Sequence, residues 1–210
     1  NADIALYFAD QPAKLYQLLQ WLPVFENHTQ LRTIVVVRNL ETYNELRTQT
    51  SLQVLLVPRY EILMALYDRA DFHAVVYVNN GWTNFQSLSF QQAVHIHVNH
   101  GESDKICMVS NQAKAYDKVY VAGQAAIDRH ASAIAWFDPS HLVSVGRPQL
   151  DLDIASPLAQ SDLTTITYAP TWEGEDDVNN YTSVDLYGPQ IVTAAFAIPH
   201  ARLVYKPHPR

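Results

Sequence analysis

A single cysteine, Cys107, stands among 210 residues, which excludes an intrachain disulfide and any cysteine-rich zinc site. Set between Ile106 and Met108, it reads as a buried thiol rather than a nucleophile. Glycine is scarce as well, six in all. None of them forms Gly-x-Gly-x-x-Gly, or Gly-x-x-x-x-Gly-Lys followed by Ser or Thr, so a dinucleotide or P-loop site has no support. Basic residues are outnumbered, 14 Lys and Arg against 21 Asp and Glu, for a net charge of −7. Bulk electrostatics therefore favour neither nucleic acid nor anionic lipid, and any phosphate has to be bound by a local site. No apolar run approaches the ~20 residues that span a bilayer, and no signal-peptide pattern opens the sequence. The balance of 48% hydrophobic and 17% charged residues suits a globular protein with a substantial core, and a cytoplasmic location is expected.

What is present is an alternation. Short β-branched runs read as strands over 3–9, 33–38, 53–58, 74–79, 93–98, 118–123, 142–146, 165–170 and 202–207. Amphipathic stretches at 13–22, 40–47, 60–69, 124–134 and 189–198 read as helices. Strand and helix in turn predict a parallel sheet covered on both faces, an α/β fold, with ligands collecting beyond the carboxyl ends of the strands. Residues 150–162 are polar and lack periodicity, so they read as a linker. The expected organisation is a Rossmann-like parallel-sheet domain over 1–149, a linker over 150–163, and the beginning of a second, truncated α/β domain over 164–210. Two strands and one helix do not bury a core by themselves.

Ionisable residues cluster at three strand ends. In AVHIHVNHG, alternation puts His95, His97 and Asn99 on one face. A His-x-His pair can chelate a metal or hydrogen-bond inside a sheet; without a second spaced cluster, no metal is expected. His100 follows, an imidazole with a ~6.5 reference pKa that can take a proton from a substrate hydroxyl. Gly101 permits a positive φ or a close ligand approach, Ser103 or Asp104 can cap a following helix, and Lys105 adds a full charge. In YAPTWEG, Thr171 can hydrogen-bond a phosphate and Trp172 offers a flat face for a ring or a sugar, while the acids after it read as a solvated loop. KPHPR closes the last strand with Lys206, His208 and Arg210, spaced by two prolines. Asp151-x-Asp153 has the form of a metal–nucleotide site but lies in the linker.

In this order, HGESDK (100–105), YAPTWEG (168–174) and KPHP (206–209) resemble the CDP-glycerol glycerophosphotransferases, the teichoic acid and capsule-type polymer synthases of GT-B fold. SNQAKAYDKVYVAG (110–123) and VGRPQLD (145–151) match that pattern too, so the resemblance covers residues 93–210, with 1–90 alike only in their β/α alternation. It implies a transferase that moves glycerol phosphate, or a related polyol phosphate, from a CDP-activated donor to a hydroxyl of a cell-wall or capsular polymer. His100 would be the base and His208 would steady the phosphate or leaving group. Gly101, Ser103, Lys105, Arg147, Thr171, Trp172, Lys206 and Arg210 would bind substrate, with no metal and no cofactor. The partners would be CDP-glycerol or a similar nucleotide and a lipid-linked or polymeric acceptor, with peripheral contact at the inner face of the cell membrane left open.

Two departures stand out. Glu102-Ser103-Asp104-Lys105 replaces the family's frequent Thr-Pro-Leu-Lys, which brings acids near an anionic donor. The family's donor-binding Ser-Asp-Tyr-Ser-Ser type motif does not follow KPHP, and a fragment without transfer activity of its own is expected. The alternatives are a GT-B nucleotide-sugar glycosyltransferase or epimerase, and a non-catalytic recognition domain.

Overall fold

In a computed structural model of the chain, residues 2–103, 108–174 and 180–208 are described. The chain divides into two compact units, Asn1–Asp153 and Ile154–Arg210.

The first unit is built on strands β1 (Ile4–Phe8), β2 (Thr33–Val37), β3 (Gln53–Leu56), β4 (Ala74–Tyr77), β5 (Val94–His97), β6 (Lys118–Val121) and β7 (Leu142–Ser144). They form one sheet in the order β3-β2-β1-β4-β5-β6-β7, and every neighbouring pair is parallel. The near-continuous apolar character of TIVVV follows from this: all five residues of β2 are buried, because a parallel sheet is covered on both faces. The period of two splits the core accordingly. Ala5, Tyr7, Val36, Val75, Tyr77 and Val119 pack on one face, with Leu63 and Tyr67 of helix α4 (Tyr60–Ala70) and Ala126 of helix α6 (Gln124–Ala133). Leu6, Phe8, Val35, Val37, Val76 and Val78 face the other way, against Leu15, Leu18, Trp21 and Leu22. Each Val, Leu or Phe among them contributes about 1.5–3 kcal/mol when fully buried.

The stretch 13–22 departs from the single helix its leucines suggest. It is a 3-10 turn at Pro12–Lys14, then α1 (Tyr16–Leu19), then α2 (Leu22–Glu26). Pro23 has no N–H for the carbonyl four residues back, and its ring crowds that carbonyl, so the chain restarts with proline in the first turn. Helix α3 (Leu40–Leu46) begins where Asn39 accepts the Thr42 N–H at 3.0 Å.

The second unit holds β8 (Thr164–Tyr168) and β9 (Ala201–Tyr205), paired in parallel and joined through helix α7 (Val184–Phe196). That helix starts five residues before Pro189, where the sequence suggests a start, and carries the proline inside. No helix of the described residues is long and apolar enough to cross a membrane.

Candidate functional site

Strand order reverses at β1. The chain steps from β1 through β2 to β3 on one side, then returns to build β4 through β7 on the other. The loops leaving β1 and β4 therefore diverge and open a crevice beyond their carboxyl ends. Asp10 stands on the first loop and Asn79 on the second. The Asn79 side-chain amide donates to Asp10 Oδ2 at 2.7 Å and to Gln17 Oε1 at 2.9 Å. Asn84, in helix α5 (Asn84–Leu88), donates to the Asn79 carbonyl at 2.6 Å and to the Tyr116 hydroxyl at 3.0 Å. A Cβ on Gly81 would come within 3.3 Å of Asp10 Oδ2 and 3.4 Å of Asn79 Oδ1, so the turn closes around a residue with no side chain. The sequence reading passed over this cluster. Its signal was there: Asp10 and Asn79-Asn80-Gly81 directly follow apolar strands, as His100 does.

His100 sits at the tip of β5, the next strand along, and is half-buried. Its Nδ1 lies 3.3 Å from the Val78 carbonyl. Since only an N–H can bond to that oxygen, the neutral ring carries its lone pair on Nε2. Tyr16 meets the imidazole edge-on, centroids 6.0 Å apart. The turn that presents His100 is made by Asn99, not by Gly101. Asn99 has φ 53°, and its Oδ1 accepts the His100 N–H at 2.8 Å, which suits asparagine's tolerance of the left-handed region. The Trp21 indole N–H donates to the Asn99 carbonyl at 2.6 Å. Gly101 has no positive φ, and a Cβ there would touch nothing within 4 Å. Its place is on the wall of a cavity of about 290 Å³, shared with Glu102, Gly146 and Arg147.

Arg147 is thus brought to the same cavity as Gly101, where its guanidinium donates to Gln20 Oε1. Glu102, whose charge near a donor phosphate raised a conflict, accepts the backbone N–H of Ala122 at the β6 tip at 3.0 Å. Ser103 is half-buried in the same loop. Asp104, Lys105 and Cys107 lie outside the described residues.

The paired histidines of β5 are structural. The Tyr77 hydroxyl and the Phe90 carbonyl occupy the two ring nitrogens of buried His95, each at 2.7 Å. His97 stacks on Tyr116 with centroids 4.9 Å apart. Burial pushes its pKa down to about 3, helped by His100 and His130, so it stays neutral. Its Nε2 and Asn80 Oδ1 are buried without a hydrogen-bond partner among the described residues and border a cavity of about 10 Å³, the size of one water. Among the described residues no group of three or more His, Cys, Asp or Glu is placed to hold a metal.

In the second unit, Thr171 and Trp172 follow β8 while Lys206 and His208 follow β9. Parallel pairing sets these two tips side by side. The Lys206 N–H donates to the Tyr168 carbonyl at 2.9 Å, and the Trp172 and His208 rings lie 6.4 Å apart at 34°. Arg210 lies outside the described residues.

No protein-family model matches the chain, and no curated protein matches it. Solved structures do. UDP-GlcNAc 2-epimerase from Neisseria meningitidis aligns over 99% of the chain with a TM-score of 0.57 at 12% identity. A glycosyltransferase from Rickettsia africae aligns over 97% with 0.53 at 9%, and the wall teichoic acid polymerase TagF over 98% with 0.51 at 13%. The chain spans 66%, 68% and 56% of these three proteins, respectively. The fold is that of GT-B, Rossmann-like enzymes: a parallel seven-stranded sheet flanked by helices.

Proposed function

We propose that the chain belongs to a transferase that moves glycerol phosphate, or a related polyol phosphate, from a CDP-activated donor to a hydroxyl of a polymeric or lipid-linked acceptor. The observation that carries this reading is His100: a half-buried imidazole on a strand tip beside the β1/β4 crevice, oriented by the Val78 carbonyl. An acceptor hydroxyl attacks the β-phosphorus while His100 Nε2 takes its proton. The bond from that phosphorus to the bridging oxygen breaks, and CMP leaves with the electron pair. Arg147 and the Gly101 backbone line the wall of the adjoining cavity. In the second unit Thr171, Lys206 and His208 supply donors and positive charge for phosphate, and Trp172 offers a ring face. The wall teichoic acid polymerase among the fold neighbours supports this choice. Work on such an acceptor would place the protein in the cytoplasm at the inner membrane face.

The 2-epimerase and glycosyltransferase neighbours favour a second reading, a nucleotide-sugar enzyme, and the acid at Glu102 fits a site built for a different donor. Calorimetry on the full-length protein with CDP-glycerol against UDP-sugars separates the two. Under the first reading CDP-glycerol binds, CMP is released, and His100→Ala lowers kcat by ~10²–10⁴-fold with little change in KM. Binding of UDP-sugars alone selects the second reading. Wild-type turnover in His100→Ala removes His100 as the base, and binding of no donor by the wild type leaves a recognition domain.

A further inference from the structure

Two tryptophans of the first unit are strongly exposed, Trp82 at 81% and Trp136 at 99%, and they differ in surroundings. Trp82 follows the Asn79–Gly81 turn, so it rides on the loop that leaves the carboxyl tip of β4, at the end of the sheet that holds the crevice. It pairs with exposed Phe85, ring centroids 5.8 Å apart and planes at 33°. Across from these rings, Ser110, Asn111, Gln112 and Lys114 complete an open groove of about 580 Å³. Trp136 shares no such ring contact among the described residues.

We infer that the Trp82–Phe85 groove is a saccharide-binding subsite that grips a sugar ring of the acceptor polymer. This rests on the transferase reading, taken with a polymeric acceptor. The apolar C–H face of a pyranose fits an aromatic plane, whose π face is electronegative. Its hydroxyls need donors and acceptors at the rim, and two amides, a hydroxyl and an ammonium supply both kinds. Such a groove suits a ligand approached from the side, one unit of a chain that continues past it. A protein partner would need roughly 800 Å² of surface on each side, which an aromatic pair flanked by small polar groups does not provide. Trp82 itself carries little packing, so removing it should leave the fold intact.

The test is a glycan array of neutral oligosaccharides probed with the full-length protein, followed by titration calorimetry on the strongest binder. Wild type should retain at least one oligosaccharide, Trp82→Ala should bind it about tenfold more weakly, and Trp82→Phe should recover most of the loss. CDP-glycerol affinity should be the same in all three. An array that retains nothing with wild type, or Trp82→Ala binding as tightly as wild type, overturns the subsite. If the oligosaccharide binds through Trp82 while no CDP-glycerol is bound or cleaved, the donor assignment fails and the subsite stands.

Discussion

His97 shows what one buried imidazole does to pH dependence. Its folded pKa of about 3 lies below the 6.5 of the free side chain, with burial as the main cause. Above pH 6.5 neither state binds the proton and stability is unaffected. Below it the unfolded chain takes up a proton that the folded ring refuses, so stability falls by roughly 1.4 kcal/mol per pH unit until the folded pKa is reached. His97→Gln removes this term. Denaturant titrations between pH 7 and 5 should show the gap between wild type and variant narrowing as pH falls, and a constant gap would contradict the assignment. Asn79 argues the opposite way. Asn79→Asp sets a carboxylate 2.7 Å from Asp10 Oδ2 in place of a donor, so the variant should lose about 2–4 kcal/mol at pH 7 and regain part of it below pH 5, as one acid protonates and donates again. At this scale the sequence was half legible. His100 was visible because a titratable group after a strand is conspicuous. Asn99 and Asn79 were not, because an asparagine that turns the backbone or bridges two loops looks like any polar loop residue until its partners, distant in sequence, are in place.

Strands were legible as elements because β-branched runs between turn residues have few other uses, and all nine strands of the described residues fall on the runs named from the sequence, ends differing by up to two residues. Helix α5 was missed. Its sequence NFQSL has too few apolar residues for a helical period, and its stability comes from what its buried residues bond to. Ser87 is fully buried, its hydroxyl 2.8 Å from that of Tyr67 and 2.7 Å from that of Tyr77, which continues to His95. One hydroxyl thus ties α5 to α4, β4 and β5. Burial holds both phenols far above the usual tyrosine range, so they serve as neutral donors. Ser87→Ala strands the Tyr67 hydroxyl and should cost about 1–3 kcal/mol. Adding Tyr67→Phe to it removes the orphan, so the double variant should be no less stable than the single one. Urea unfolding of both, with a non-additive result, is the check.

At the scale of the whole molecule the two units differ in what they bury. Every buried hydrophobic residue of the described chain except Ala195 belongs to the first unit. In the second, Leu186, Tyr187 and Phe196 of α7 are 68%, 60% and 73% exposed, and a two-stranded sheet with one helix offers too little interior to offset the entropy of ordering its backbone. Residues 154–163, which open the second unit, carry no helix or strand and are exposed, which makes them the natural point of proteolytic attack. The seven-stranded sheet, by contrast, carries a buried core on each of its faces. Residues 1–153 produced alone should therefore unfold in one cooperative transition in urea, while 154–210 alone should give no transition and the circular dichroism of a largely unfolded peptide. Cooperative melting of the isolated 154–210 segment would mean that its exposed apolar face is covered by self-association, which sedimentation would reveal as a species heavier than the monomer.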